Sequence, residues 1–282
     1  MVDFHSHSTA SDGTLAPTQL VELASQRGLV ALALTDHDTV AGLDEARLAC
    51  QERHLKFIPG IELEIAFEHG EFHLLGLGLR QWKTGWVEGL AELQRLRSER
   101  NHRIFSKMRE AGIRGDYSEI ERLAQGGQVG RPHFARFLVE RGKVNSVQEA
   151  FTHFLGKGQL FYVARAGLDL EAAIRMIHEA GALAVVAHPK TLRVSQTVLE
   201  TLLASAKDKG LDGLEAWHPG AEPRVARKLE ALALKLRLKV SAGSDFHGDI
   251  RPERNLGLTS GGLPIEDSFL EKLFPEGADS FQ

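Results

Sequence analysis

Cysteine is almost missing from this sequence. Cys50 is the only one among 282 residues, so no internal disulfide can form, and every zinc site built from several thiolates is excluded. Any metal must be held by nitrogen and oxygen. Long apolar runs are also missing: Val30 to Leu34 and Ala182 to Ala187 fall far short of the ~18 residues a membrane span needs. The start, Met1-Val2-Asp3-Phe4-His5, has an acid where a secretory signal carries basic residues, and no apolar stretch follows it. Cytoplasmic residence is the expectation. With 28 glycines and 9 prolines the chain is too poor in both to be a low-complexity protein. There is no surplus of positive charge either. The 34 Lys and Arg against 38 Asp and Glu leave a net charge of −4, which argues against coating large duplex nucleic acid.

What is present reads as a packed α/β protein of one large domain with an inserted subdomain. Short apolar segments alternate with helical periods. Strands are expected at Val2 to His7 and Val30 to His37, with helices at Pro17 to Arg27 and Ala41 to Arg53. Lys56 to Phe67 and Glu71 to Leu79 flank His69-Gly70, a two-residue turn pattern that predicts a hairpin. Alternation resumes after Leu160, with strands at Ala182 to His188, Gly213 to His218 and Val240 to Asp245, and helices at Leu170 to Ala180, Ser195 to Lys209 and Glu222 to Leu236. Between them, Lys83 to Leu160 shows helical periodicity in Leu90, Leu93, Leu96, Ile104 and Met108, and no strand pattern. It holds fourteen Lys and Arg against nine Asp and Glu, leaving twenty against twenty-nine elsewhere. A basic helical insertion at 83–160, acting as a substrate lid, thus interrupts a βα frame made of 1–82 and 161–282. A barrel suits this frame better than an open doubly wound sheet. No glycine-rich dinucleotide loop follows the first strand, and chemically active residues end almost every strand.

Those strand ends carry histidine. His5, His7, His37, His188, His218 and His247 lie at or just beyond the carboxyl ends of expected strands, where parallel βα folds build their sites. His54, His102, His153 and His178 fall in helical stretches and read as surface or packing residues. Because side chains along a strand repeat every two residues, His5-Ser6-His7 puts two imidazoles on one side, and Asp12 follows in a turn able to fold a carboxylate back over them. Thr35-Asp36-His37-Asp38 groups three ionisable residues that would be costly to bury without a cation. Within it His37 is the candidate ligand, and Asp36 and Asp38 either orient imidazoles or cap helices. Glu62 and Glu64 share a face, so either could bridge two metals. A two-residue turn at His69-Gly70 would pair Ala66 with His73 and place His73 on that same face. Ala187-His188-Pro189, Glu215-Ala216-Trp217-His218-Pro219 and Ser244-Asp245-Phe246-His247 repeat the strand-end pattern. One cluster of divalent ions would neutralise all these groups together.

His5-x-His7, Asp12-Gly13, Thr35-Asp36-His37-Asp38, Gly60-x-Glu62, His73, Ala187-His188-Pro189 and Ser244-Asp245-x-His247 resemble the motif series of the polymerase and histidinol phosphatase (PHP) family. The resemblance covers most of residues 1–79 and 161–260. It implies a distorted seven-stranded βα barrel holding two or three divalent ions, manganese, iron or zinc, that hydrolyse phosphoesters. Carried over by position, it gives one ion to His5, His7, Glu62 and Asp245. A second would take Glu62, His73 and His188, and a third Asp12, His37 and His247. Relatives often have histidine where Asp12 stands. Gly130-Arg131-Pro132-His133 and the helical insertion resemble the branch of nucleoside 3′,5′-bisphosphate phosphatases and 5′ to 3′ oligoribonucleases. Pro132 suits the first position of a helix, whose N-terminus and the Arg131 guanidinium would together meet a phosphate. His218, unassigned to metal, is the candidate to protonate the leaving group or bind the phosphate. The expected function is hydrolysis of nucleoside 3′,5′-bisphosphates or short oligoribonucleotides. The rivals are a phosphatase of another metabolite such as histidinol phosphate, a non-catalytic PHP interaction module, and carbon–nitrogen hydrolysis by an amidohydrolase-like barrel.

Overall fold

A computed structural model describes residues 1–81, 87–164 and 167–275. Seven strands follow one another around the sheet in chain order: β1 (Val2–Asp3), β2 (Ala31–Leu34), β3 (Lys56–Ile65), β4 (Phe72–Leu77), β5 (Leu183–Val186), β6 (Gly213–Trp217) and β7 (Lys239–Ala242). Phe4 N–H donates to Ala242 O at 3.3 Å, and Ser6 bridges Phe246, so first and last strands meet and the barrel is nearly closed. Parallel neighbours need crossovers, supplied by α1 (Pro17–Gln26), α2 (Leu43–Glu52), and later α8 (Gln196–Asp208) and α9 (Pro223–Lys235). Between the antiparallel β4 and β5 lie α3 (Val87–Glu110), α4 (Tyr117–Leu123), α5 (Arg131–Glu140), α6 (Val147–Ala150), a π-helical turn (Phe151–Leu155) and α7 (Leu170–Glu179). A last helix, α10 (Ser268–Leu273), packs on β7. No described helix is long and apolar enough to cross a membrane.

The inward rows of β3 and β4 change character along their length. Val2, Ala31, Ala33, Ile58, Leu75, Leu77, Val185 and Ala242 join one buried apolar cluster, which plugs the barrel. Their outward neighbours, such as Leu32, Leu34, Ile61, Leu63 and Leu74, belong to a second cluster shared with the surrounding helices. Continuing the inward row of β3 from Ile58 by steps of two reaches Glu62 and Glu64, and the row of β4 back from Leu75 reaches His73. An apolar plug thus ends in a polar layer. β4 runs antiparallel to both β3 and β5, so its contribution to that layer comes from its start rather than its end.

Two expectations about the strands need correction. The His69-Gly70 turn is not a two-residue hairpin: Ile65 pairs with Phe72 and Glu64 with His73, a register two positions away from the expected one. The loop between them is held open by other segments. Ala66 N–H donates to Leu168 O at 2.9 Å and Glu71 N–H to Thr191 O at 2.9 Å. His73 still shares the face of Glu62 and Glu64, because a shift of two preserves the side. The ladders also stop earlier than expected, before His7, His37, His188 and Asp245. His188 (φ 25°) and Asp245 (φ 50°) have left-handed backbones that cannot continue a ladder.

The chain leaves β4 at the plugged end, and α3, with 24 residues, is about 36 Å long, enough to climb to the polar end. Leu90 and Leu93 pack on the barrel's outer core, while Ile104 and Met108 enter a separate cluster with Ile120, Phe134, Phe137, Leu155 and Phe161. The expected start of this unit, Lys83, lies outside the described residues. Arg97 pairs with Asp38, Arg131 with Glu71 at 2.5 Å, Lys157 Nζ donates to His69 O at 2.7 Å and Gln128 N–H to Ala10 O at 3.2 Å, so the helical part is tied to the barrel rim at several places.

Gly70 shows why the rim is sequence-sensitive. A Cβ there would lie 2.1 Å from Thr191 O and 2.5 Å from Leu192 O, both backbone. Gly70→Ala is expected to lower stability by about 1–3 kcal/mol, the range for overpacking a filled site. Urea unfolding measures this, and an unchanged midpoint would remove the close approach as the reason for glycine.

Candidate metal centre

Nine side chains assembled from separate strand ends meet at the polar end of the barrel: His5, His7, Asp12, His37, Glu62, His73, His188, Asp245 and His247, all buried. Glu62, completely buried, lies at their centre. Its Oε2 is 3.3 Å from His5 Nε2, 3.2 Å from His7 Nε2 and 3.1 Å from His37 Nδ1, and its Oε1 is 2.7 Å from His73 Nδ1 and 2.8 Å from His188 Nε2. His5 Nε2, both nitrogens of His7, His37 Nδ1 and Glu62 Oε2 make no hydrogen bond, although they are buried and face one another. Such atoms are costly in a folded protein unless something else occupies the space between them.

A divalent cation fits that space. Ligands about 2.1 Å from one ion stand roughly 3.0–3.4 Å apart in octahedral or tetrahedral geometry, close to the separations around Glu62 Oε2. His7 Nε2 and His5 Nε2 are also 3.3 and 3.5 Å from Asp245 Oδ1, so His5, His7, Glu62 and Asp245 form one four-ligand group. His7, Asp12, His37 and His247 form another, with His247 Nε2 3.4 Å from Asp12 Oδ1. A third consists of His37, Glu62 and His73, and His188 Nε2 stands 3.3 Å from His73 Nδ1 beside it. Three imidazole and carboxylate groups capable of holding metal therefore share His7, His37 and Glu62.

The electrostatics agree. Burial alone would raise Glu62, yet His37, His73 and His5 hold it well below the usual carboxylate range. Burial opposes charge on His5 and His73, but Glu215 and Glu62 lift His5 to about 10, and Glu62 and Glu64 lift His73 to about 9. The carboxylates demand positive charge here, a demand that a bound cation also meets. Burial leaves His188 and His247 near 4 and drops His37 well below its ordinary value.

Around these groups lies a row of buried residues that orient them. Asp36 accepts from Ser8 N–H at 2.8 Å, Ser8 Oγ at 2.6 Å and Ser11 Oγ at 2.6 Å, and Asp38 accepts from Glu64 N–H at 3.0 Å as well as from Arg97. Neither caps a helix; they brace the loops that carry Asp12 and His37. Asp3, Glu215 and Arg254 escaped the sequence reading. Asp3 accepts from the backbones of His5, Ser244 and Gly257. Glu215 accepts from His5 Nδ1 at 2.9 Å, and Arg254 pairs with Asp245 Oδ2. The one available signal was a carboxylate at an inward position of an otherwise apolar strand, as Glu215 is in β6.

His218, the candidate acid or phosphate-binding residue, lies against Gly220 and Asp245. Its Nδ1 accepts from Gly220 N–H at 2.9 Å, and Nε2, carrying the remaining proton, faces Asp245 Oδ2 at 3.3 Å. Burial drives its pKa well below the ordinary value. Arg131 opens α5 and Pro132 is the second helical residue rather than the first; His133 Nδ1 accepts from Gly130 N–H at 2.9 Å and closes the turn. Arg131 and Phe151 of the helical part and Arg251 and Arg254 of the barrel wall a cavity of about 550 Å³ whose floor is the ligand cluster. The remaining histidines lie elsewhere: His102 stacks on Tyr117, and His178 pairs with Asp212.

A family model described as the PHP domain matches residues 3–181. A 5′-3′ exoribonuclease of Haemophilus influenzae is 37% identical over 270 residues, covering 95% of this chain and 98% of that protein. A 3′,5′-nucleoside bisphosphate phosphatase of Chromobacterium violaceum is 33% identical over 265 residues, 94% of this chain and 93% of that one. The fold matches a solved candidate metal-dependent phosphoesterase from Bifidobacterium adolescentis with a TM-score of 0.87 at 29% identity, over 99% and 96% of the two chains.

The geometry of His218 leads to a kinetic expectation. His218→Gln should lower kcat about 10–100-fold, as loss of a group that orients a ligand does, while the basic limb of the pH–rate profile stays in place. Disappearance of that limb would make His218 the proton donor instead.

Proposed function

The chain belongs to the PHP domain family and is a metal-dependent phosphoester hydrolase; from that premise we propose that it acts on nucleoside 3′,5′-bisphosphates, such as 3′-phosphoadenosine 5′-phosphate, and on short 5′-phosphorylated oligoribonucleotides. The observation carrying this reading is the shared cavity: the ligand cluster forms its floor, and Arg131 stands in its wall on a separate, basic helical unit. One phosphate can be cleaved at the floor while a second is held at the wall. The activities of the exoribonuclease and bisphosphate phosphatase relatives support the same substrate class.

In this reading two to three divalent ions, of manganese, iron or zinc, occupy the site, since imidazole and carboxylate donors suit all three. His5, His7, Glu62 and Asp245 hold one, Glu62, His73 and His188 with His37 beside them a second, and Asp12, His37 and His247 a third. Bound ions of this kind supply a water of lowered pKa and polarise phosphoryl oxygens. The chain's own groups do the rest. Glu62 keeps the two sides of the cage at fixed separation, and His218 and Arg254 occupy Asp245 Oδ2 so that Oδ1 faces inward. Arg131 exchanges Glu71, whose side chain is 40% exposed, for the phosphate that is not cleaved, and Phe151 offers an aromatic face beside it. The helical unit acts as the lid, and its basic surface draws in anionic substrates.

Removing divalent ions by chelation should abolish turnover and lower the melting temperature, and manganese or zinc should restore both. Full activity in protein carrying less than one ion per chain would reject the cage. For substrate choice, Arg131→Ala should weaken kcat/KM for a nucleoside 3′,5′-bisphosphate by about 1.5–3 kcal/mol, the range for hydrogen bonds to a charged group. A simple monophosphate should be affected much less. Equal losses on both would return the question to a phosphatase of another metabolite, histidinol phosphate among them.

A further inference from the structure

Glu215 has no place among the nine cage residues, yet it is completely buried and both its oxygens are engaged. Oε1 accepts from His5 Nδ1 at 2.9 Å, and Oε2 accepts from the His188 backbone N–H at 2.7 Å. The first bond decides a tautomer. With Nδ1–H donated to Glu215, Nε2 is the His5 nitrogen left to face a cation in place of a second proton, and it lies 3.3 Å from Glu62 Oε2 and 3.5 Å from Asp245 Oδ1. The second bond fixes a strained backbone: His188 has φ 25° and ψ 64°, outside the relaxed regions for a residue with a side chain. From there its Nε2 reaches Glu62 Oε1 at 2.8 Å.

One carboxylate therefore holds two histidines that face opposite oxygens of Glu62. The packing leaves the pair little freedom. A Cβ at Gly243 would sit 2.3 Å from His5 Cβ and 2.8 Å from Glu215 Oε1, and the β6–β7 register shifts between Glu215 and Trp217, a bulge at the level of the site. We propose that Glu215 is a positioning residue that sets the tautomer of His5 and the backbone of His188, and thereby couples the metal affinities on the two sides of Glu62. The proposal rests on the metal cage described above, but not on any particular substrate.

Glutamine at this position separates the two duties. Its single carbonyl oxygen can accept from His5 or from His188, whereas its amide NH2 must face the other donor. The test uses the full chain, stripped of metal and titrated with zinc or manganese, reading ions bound per chain, dissociation constants and the rise in melting temperature on loading. Glu215→Gln is expected to weaken binding 10–100-fold at the His5 and His188 positions and to shrink the metal-induced rise. Binding at Asp12, His37 and His247, which Glu215 does not touch, should change far less. A variant that binds every ion as tightly as wild type, or weakens all positions alike along with the stripped protein's melting temperature, overturns the proposal in favour of a purely structural role. Should the variant not fold, the wild type decides: nitrogen NMR of the zinc-loaded protein must show the His5 proton on Nδ1, and a proton on Nε2 rejects the assignment. Wild-type protein that binds no divalent ion rejects the cage itself, a different failure from tight binding in Glu215→Gln.

Discussion

A completely buried carboxylate faced by five imidazoles is the constraint on which this molecule turns. Glu62 presents one oxygen to His5, His7 and His37 and the other to His73 and His188. Placing a charge there is unfavourable unless opposite charge is arranged around it. The barrel makes that arrangement possible, because strands converging on one end bring residues from distant parts of the chain within 3–4 Å. The small and branched residues of the plug support the polar layer from below, and the early ends of the strand ladders free the ligands to turn inward.

Such a site needs more than its nearest atoms. Asp36, Asp38, Asp3, Glu215, His218 and Arg254 each spend their hydrogen bonds on a candidate ligand or on the loop that carries one. Several of these contacts run to backbone N–H groups. They therefore fix the loop path as well as the side-chain angle, as in Glu215 to His188 and Asp3 to Ser244. The left-handed conformations at Asp38, His188 and Asp245 occur where that bracing is densest. Strain of this kind persists only when the surroundings over-determine it.

The helical unit has its own apolar core but no complete site. It contributes Arg131 and Phe151 to a cavity whose floor belongs to the barrel. α3 joins the two by packing its first turns on the barrel and its later turns in the helical core. The Asp38–Arg97 and Glu71–Arg131 pairs then set where the wall stands relative to the cluster. Arg131 of the helical unit and Arg251 and Arg254 of the barrel place positive charge in the wall, above the carboxylates of the floor.

Much of this was legible in the residues alone. The single cysteine restricted any metal to nitrogen and oxygen donors, His5-x-His7 put two imidazoles on one side by strand periodicity, and the apolar rhythm of Leu90, Leu93, Leu96, Ile104 and Met108 marked a helical segment. All three are local properties, set by neighbours within a few positions. The β3–β4 register was not local: it depends on Leu168 and Thr191 holding the loop open, and turn composition at His69-Gly70 carries no trace of them. Nor could sequence assign Glu215 to His5, 210 positions away, direct the His218 proton to Asp245, or pair Arg131 with Glu71. Each of those outcomes follows from which strand end lies beside which, and only the closed barrel, with the helical unit seated on its rim, decides that.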